Sequence, residues 1–418
     1  MWKQIFNQIW NQRRTNAWLW TELCIVTVLL WYGVDVVYNY EGAAWQPKGY
    51  DTSCVFDLTM GSTKPMDFIN DADNRRAGED FTYLYNLIKD YPGVEEVCAY
   101  YGSVPYTDEV MSEGYAPHTD STHVVNCYIR YVTSSYFKVF RLNPLAGQLD
   151  EEHWSSAENP VPTLMSVDLV DSLFQLPHAA DAVGRTCFNP YWLNTKHPVT
   201  NYRVSAVLPR HKLGDYERYE PFIYLPADKA LFWQHVALRV SPDQVAGFAE
   251  RFRRDMQPVF DRGIFYLDNI RLYGDMKEAY DIQKGTVNYL NTVYTVAAFF
   301  LFNVFLCVFA TFWYRTRKRR CEVALRMALG SSRRQVMRYF LLEGLVLLLM
   351  AVIPALLIAL NIQWADLTVH TLVDVSAVRF VGSFGVALLL MALMIVLGIW
   401  YPARRAMQVQ PAEALHDE

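Results

Sequence analysis

The chain has 418 residues, is 52% hydrophobic and 19% charged, and carries a net charge of −5 at pH 7. The length allows two or three domains, and the apolar residues are concentrated in four windows while the rest reads as an ordinary globular sequence. The largest polar region is acidic on balance, which excludes a nucleic-acid-binding module, and none of the seven cysteines stands in a CxxC, so a zinc ribbon or thioredoxin-type site has no support.

Residues 1–16 carry Lys3, Arg13 and Arg14 and no acid. Residues 17–38 form the first apolar window, long enough to cross about 30 Å of hydrocarbon. Trp18, Trp20, Trp31, Tyr32 and Tyr38 are suited to its interfaces. A cleaved signal peptide is the rival reading. The stretch is long for one, and Glu22 and Asp35 interrupt it.

Residues 39–286 contain no spanning window and mix strand-like with helix-like patterns. Cys54, Phe56, Leu58 and Met60 alternate onto one face of a strand. Phe81, Leu84, Tyr85 and Ile88 have helical spacing, ended by Pro92-Gly93. Strands are expected over 94–104 and 124–131. Toward the other end, a strand over 236–240 leads to Ser241 and Pro242, which predict a helix start. That helix carries Val245, Phe248 and Phe252, and a strand follows over 263–270. Each end of the region thus holds a strand–helix–strand unit, and two such units pair into a split βαβ sheet. The segments 39–133 and 226–286 are assigned to that sheet. Residues 134–225, with short strands at 162–167, 202–208 and 221–225, are read as an inserted, mostly β subdomain. Cys54, Cys98, Cys127 and Cys187 fall in this region, where disulfides are permitted and not required.

Residues 276–288 are helix-compatible and run into the second window, 287–314, which has no charge. A basic loop, 315–338, follows. A third window covers 339–360, with Pro354 inside it as a kink. A short loop spans 361–379, and a fourth window covers 380–401, with Tyr401-Pro402 marking its end. The tail is 402–418. The basic loop holds Arg315, Arg317, Lys318, Arg319, Arg320, Arg326, Arg333, Arg334 and Arg338 against one acid, Glu322. By the positive-inside rule it lies in the cytoplasm, as do the basic start and tail, and residues 39–286 lie outside.

The loop is patterned as well as basic. Glu322 and Arg326 are four apart, acid first, and Val323/Met327 and Leu325/Leu329 make apolar i,i+4 pairs. Gly330 ends that short helix, and Ser332 with Gln335 forms a capping box that starts the next. Docking on lipid headgroups and docking on a protein fit this pattern equally well.

At this point the sequence resembles a family. CEVALRMALGSSRRQVMRYFLLEGLVLLL, residues 321–349, is similar to the loop after the second of four spans in MacB/FtsX-type ABC transporter permeases. The tail Tyr401-Pro402-Ala403-Arg404-Arg405-Ala406, then Pro411-Ala412-Glu413-Ala414-Leu415, resembles that family's C-terminus. So do Val132-Thr133-Ser134-Ser135-Tyr136-Phe137, Leu145-Ala146-Gly147-Gln148 and Val183-Gly184-Arg185 in the external part. Cys321, Met327 and Gln148 depart from the family's arginines. The resemblance implies an α-helical membrane protein of four spans with a large α+β periplasmic domain, set in the bacterial inner membrane. It implies that residues 322–330 form a coupling helix seated on a cytoplasmic ATPase, with Glu322, Val323, Leu325, Arg326, Leu329 and Gly330 as contact positions. The chain has no GxxxxGK[ST] loop, so ATP and Mg belong to a separate ABC ATPase subunit. A second permease copy or paralogue is implied as a dimer partner, and the family allows a periplasmic adaptor or outer-membrane component. The expected function is mechanotransmission for efflux or lipoprotein release. A transmembrane regulator of an envelope enzyme is the alternative, and a sensor is disfavoured by the short tail. No catalytic set, metal site or bound cofactor is expected on this chain.

The intramembrane acids Glu22, Asp35 and Glu343 are candidate sites because a charge within a span is rare. Each is also near enough to an interface to meet water or an arginine. His118 with His123, and His197 with His211, have no usual metal-ligand spacing. Asp168 and Asp171 read as a solvated helix face. The aromatic stretches 100–106 and 216–224 fit either a binding surface or strand packing.

Overall fold

The computed structural model describes residues 13–63, 71–192, 199–227, 235–260, 264–318, 325, 327 and 330–406. The chain divides into two units: Met1–Ala43 with Thr286–Glu418, and Ala44–Gly285. In chain order the elements begin with α1 (Arg13–Trp45), β1 (Val55–Ser62), α2 (Asp71–Lys89), β2 (Val94–Gly102), β3 (Ser112–Pro117) and β4 (Val125–Val132). They continue with α3 (Tyr136–Val139), β5 (Ala146–Gly147), β6 (Val161–Ser166), α4 (Val167–Phe174), β7 (Thr186–Phe188), β8 (Asn201–Leu208) and β9 (Phe222–Pro226). Then come β10 (His235–Val240), α5 (Phe248–Phe260), β11 (Phe265–Leu272), α6 (Tyr273–Gln283), α7 (Thr286–Lys318), α8 (Arg333–Trp364) and α9 (Ala377–Ala406).

The β-rich unit is built on an antiparallel row in the order β11-β1-β10-β2. Strand β10 therefore lies between β1 and β2, which α2 connects. Helices α2 and α5 share one face of this row. Phe248, Phe252, Met256 and Phe260 recur every four residues along α5, so all four side chains fall on one stripe and are buried with Phe81, Ile88, Leu58 and Val97. Burying each such side chain is worth about 1.5–3 kcal/mol. The opposite face packs Tyr100 and Ala237 against Phe140, just past α3, and against Tyr273 and Met276 from α6.

Strand β4 carries the sheet onward from β2 and closes a ring. It pairs with β3, β3 with β7, β7 with β8, β8 with β6, β6 with β9, and β9 returns to β4 in parallel. Each of the six strands sends a side chain into one core, including Tyr115, Ile129, Met165, Cys187, Val204 and Ile223, and α4 fills it with Leu169, Val170 and Leu173. The ring thus starts at β3, upstream of the 134–225 segment expected from the sequence. β3 and β7 are short and carry few branched residues, so their pattern is faint. Cys54, Cys98, Cys127 and Cys187 are free thiols.

Among the described residues, the other unit holds four helices long and apolar enough to cross a membrane: α1, α7, α8 and α9. α1 and α7 have 33 residues each, about 50 Å, so both exceed a bilayer core of about 30 Å. Their core includes Leu23, Trp31, Val308, Phe340, Leu347, Ala351, Met391 and Ile395. Small residues set how closely the helices approach. A Cβ on Gly398 of α9 would lie 2.9 Å from Val308 on α7, and one on Gly344 of α8 would lie 2.9 Å from Ile395 on α9.

Three element boundaries differ from the sequence reading. The helix expected from Pro242 begins at Phe248, after a turn in which Gln244 N–H donates to Ser241 O. The helix over 276–288 does not run into the second span, because a turn at Lys284-Gly285 separates α6 from α7. The helix of the fourth window does not stop at Tyr401. α9 continues through Pro402 to Ala406. A proline at that place removes one hydrogen bond, to Gly398 O four residues back.

Candidate coupling segment and buried polar sites

Of the coupling positions named from the sequence, Glu322, Val323, Arg326 and Leu329 lie outside the described residues. Leu325 and Met327 are helical. They face different surroundings: Met327 packs against the core of the membrane unit, whereas Leu325 is 51% exposed. Gly330 has φ +94° and donates its N–H to Met327 O at 3.1 Å. Only glycine takes that conformation without strain, so the helix stops there. Ser332 then caps α8. Its side chain accepts from Gln335 N at 3.3 Å, and Gln335 Oε1 accepts from Ser332 N at 2.8 Å.

The ends of α7 and α9 pack on each other. Trp313 and Tyr401 stack at 6.1 Å with planes 9° apart, and Phe309 stacks on Tyr401 at 6.0 Å. Arg405 lies 5.2 Å from the Trp313 ring, Arg404 5.4 Å from Trp400, and Lys318 4.7 Å from Tyr314. Cations held on ring faces keep these basic ends in fixed positions.

The intramembrane acids take separate places. Glu22 accepts the Cys307 Sγ–H at 2.8 Å, which joins α1 to α7. Glu343 is buried on α8 beside Gly344. Asp35 forms an ion pair with Arg379 at the start of α9, with both side chains buried. Arg379 Nε donates to Asp35 Oδ1 at 3.0 Å and Nη2 to Oδ2 at 2.6 Å, the two-pronged geometry of a strong guanidinium–carboxylate pair. The remaining donors reach Val373 O at 2.6 Å and Val369 O at 2.5 Å. One turn along α1, Asn39 Oδ1 accepts from the amides of Leu372 and Val373 and its Nδ2 donates to Thr371. The sequence reading left Arg379 in the short loop. The signal for it was there: an acid late in the first span and an arginine beside the fourth, at one membrane depth.

In the β-rich unit, His235 stands between Asp57 at 3.3 Å and Glu109 at 3.2 Å. Burial disfavours its charge, but the two carboxylates outweigh that and raise its pKa to about 10. Burial pushes the Asp57 carboxyl up, and His235 and the Tyr100 hydroxyl more than reverse this, leaving it below the usual range. Arg130 is fully buried among Tyr50, Tyr136, Phe222 and Tyr224. Tyr100, Tyr106 and Tyr224 are core residues, so these members of the two aromatic stretches pack strands and form no surface. His118 stacks on Phe188, His123 meets Ser172 O, and buried His211 meets Pro209 O, while His197 lies outside the described residues. Asp168 pairs with Arg210 at 2.8 Å. An open groove of about 850 Å³ is lined by residues 147–153 with Val183, Gly184 and 203–205. There Lys138 engages Glu151 at 2.9 Å and His153 engages Asp150 at 2.9 Å.

Residues 294–411 match the FtsX-like permease C-terminal family. That match takes in most of the second span, the basic loop, the third and fourth spans and part of the tail. A crystal structure of a domain from a Porphyromonas gingivalis protein designated a permease is 13% identical, covers 53% of this chain and 92% of its own, and superposes with a TM-score of 0.32. So loose a superposition carries no argument about the fold. No curated protein matches the chain. With four helices among the described residues long and apolar enough to cross a membrane, and with residues 294–411 matching the FtsX-like permease C-terminal family, the chain is a multi-pass membrane protein that carries an FtsX-like permease C-terminal domain.

Proposed function

We propose that the chain is the permease subunit of a mechanotransmission-type ABC system. A separate ATPase docks on residues 322–330 in the cytoplasm and carries the ATP and Mg. The β-rich unit lies in the periplasm, and the chain works in the bacterial inner membrane as one of two facing permeases. Closure of the ATPases drives the coupling segments, and the spans pass that motion to the β-rich units. Efflux of a periplasmic substrate or release of a lipoprotein from the membrane follows from that motion. Neither task requires a catalytic group on this chain.

One observation supports this reading above the others. The segment has a side that holds it and a side that offers itself: Met327 is packed on the bundle and Leu325 is exposed two residues earlier. The stop at Gly330 and the cap at Ser332 keep the segment separate from α8. A helix fixed at its base with an apolar side chain outward fits a groove on a protein. The test is co-purification with the partner ATPase from membranes, comparing the wild type with Leu325→Glu and Gly330→Pro. Proline cannot adopt φ +94°. Both variants should lose at least tenfold in ATPase binding and the stimulated ATP hydrolysis with it. Full binding and stimulation in both would remove the coupling assignment.

A further inference from the structure

Polar side chains within the spans bond in two distinct ways. Along the helices they turn back on their own backbone: Thr27 to Leu23 O, Thr295 to Asn291 O, Asn303 to Phe299 O and Asn361 to Leu357 O. Such bonds satisfy a hydroxyl or amide where there is no water, but they join no two elements. Other bonds cross the bundle: Cys307 to Glu22 and Tyr294 to Glu41 join α7 to α1, and the densest set lies where α1 meets the segment between α8 and α9. Asp35 and Arg379 are 344 positions apart in the chain. Asn39 grips the amides of 372 and 373, and Trp31 Nε1 donates to Ser383 Oγ at 3.1 Å.

These bonds matter because of how α1 is otherwise held. α7 and α8 approach α9 closely at Gly398 and Gly344. On α1, Gly33 has open space where a Cβ would be, and a Cβ on Gly42 would make only ordinary contact with Val373, at 3.7 Å. Apolar contact is not directional and lets helices slide. A guanidinium fork on a carboxylate, with two more donors on the carbonyls of residues 369 and 373, fixes both distance and orientation. A buried ion pair adds little to stability over an apolar pair of the same size, so its presence here points to a geometric role.

We infer that Asp35, Asn39 and Arg379 are positioning residues that tie the last turns of α1 to α9 and the 365–376 segment, so that motion of α9 is passed to the part of α1 from which the chain continues into the β-rich unit. This rests on the coupling reading above, and adds to it the place where motion leaves the bundle.

The experiment uses the full chain in lipid nanodiscs with its partner ATPase. Nitroxide labels are placed at Tyr83→Cys and Leu367→Cys, positions that are 62% and 64% exposed. Cys54, Cys307 and Cys321 are replaced by serine in this background. The spin–spin distance is measured with and without ATP in the background chain, in the double variant Asp35→Leu/Arg379→Met, and in Asn39→Ala. The background chain should show an ATP-driven shift. The double variant strands no charge. It leaves Val369 O and Val373 O without that donor, so it should melt below the background but above Arg379→Met alone, keep ATP hydrolysis, and lose the shift. Asn39→Ala leaves the ion pair in place, so it folds whatever the fate of the double variant, and it should at least halve the shift. A full shift in both variants overturns the link and leaves the coupling reading standing. No shift in the background chain overturns the coupling reading, and the link with it.

Discussion

Two buried arginines, one in each unit, are held in different ways, while a third, Arg239 of the β-rich unit, is matched by Asp51 and backbone carbonyls much as Arg379 is by Asp35. In the membrane unit, Arg379 is matched by a carboxylate at 2.6 Å and by backbone carbonyls. In the β-rich unit, Arg130 is just as buried and is held by neutral groups. Its Nε donates to Ser103 O at 2.6 Å and its Nη1 to the Tyr136 hydroxyl at 2.8 Å, four rings lie within 5.9 Å, and Nη2 has no hydrogen-bond partner. A span surrounded by hydrocarbon offers no other dipoles, so a charge there needs a countercharge. A folded interior dense in ring faces and carbonyls can stabilise a cation without one. The same residue type therefore marks a connection between elements at Arg379 and a packing solution at Arg130.

The strongest test of that contrast removes each arginine alone. Arg379→Met leaves the Asp35 carboxylate buried and unmatched, which costs about 3–5 kcal/mol. The melting midpoint of the full chain in nanodiscs should fall by more than in any other single variant considered. Arg130→Met strands no charge. It leaves Ser103 O and the Tyr136 and Tyr224 hydroxyls without a donor, a loss of about 1–3 kcal/mol. Equal losses in the two variants, read from the same thermal scans, would break the comparison.

The units also differed in how much of them was legible in the sequence. The spans were visible because hydropathy is a local signal, and the basic loop was visible because charge is. The loop's glycine and capping residues act within a few positions of each other, so they too could be read. The ring in the β-rich unit could not. Its closure is the parallel pairing of Ile129 with Ile223 and its neighbours, partners far apart in the chain, and no local pattern encodes which strands meet. Arg379 was lost for a related reason. A hydropathy window ends at a charge, so the residue fell into the loop, and only the fold shows that its partner is Asp35. Of the coupling positions, the sequence named Leu325 and not Met327, and it did so through the family resemblance, because helical spacing alone does not say which side the bundle occupies.

A pH series separates the units in another way. His235 has an ordinary value of 6.5 and is raised to about 10 by Asp57 and Glu109 against the cost of burial. Its contribution is fully present below about pH 6.5 and is lost as pH rises through about 10. The paired Asp57 is lowered, so its part is present above the ordinary carboxyl range and is lost only as acid protonates it. The midpoint of the β-rich unit, followed by tryptophan fluorescence, should therefore decline between pH 7 and pH 10. The comparison with His235→Gln isolates the histidine from tyrosine titration. The variant should melt lower at pH 7 and show a shallower decline. An identical slope in wild type and variant would mean that His235 is not charged in the folded chain.

The smallest expected effect lies at the start of α8, where the bonds are local, as they are along the spans. Ser332→Ala removes one side-chain acceptor from the capping box, and a lost N-cap costs about 1 kcal/mol. Among the described residues, no long-range partner depends on that hydroxyl. The change should therefore stay where it is made. The Gln335 amide should exchange about fivefold faster, the factor that corresponds to roughly 1 kcal/mol, while the amides of Leu372 and Val373, held by Asn39, keep their protection. Hydrogen exchange with fragment-level resolution reads both regions in one experiment. If the cap variant also loosens residues 372 and 373, the start of α8 and the Asp35–Arg379 region are coupled through the spans even without an ATPase. The bundle would then transmit disturbance along its whole length, and the division between local and cross-bundle bonds would no longer describe how it works.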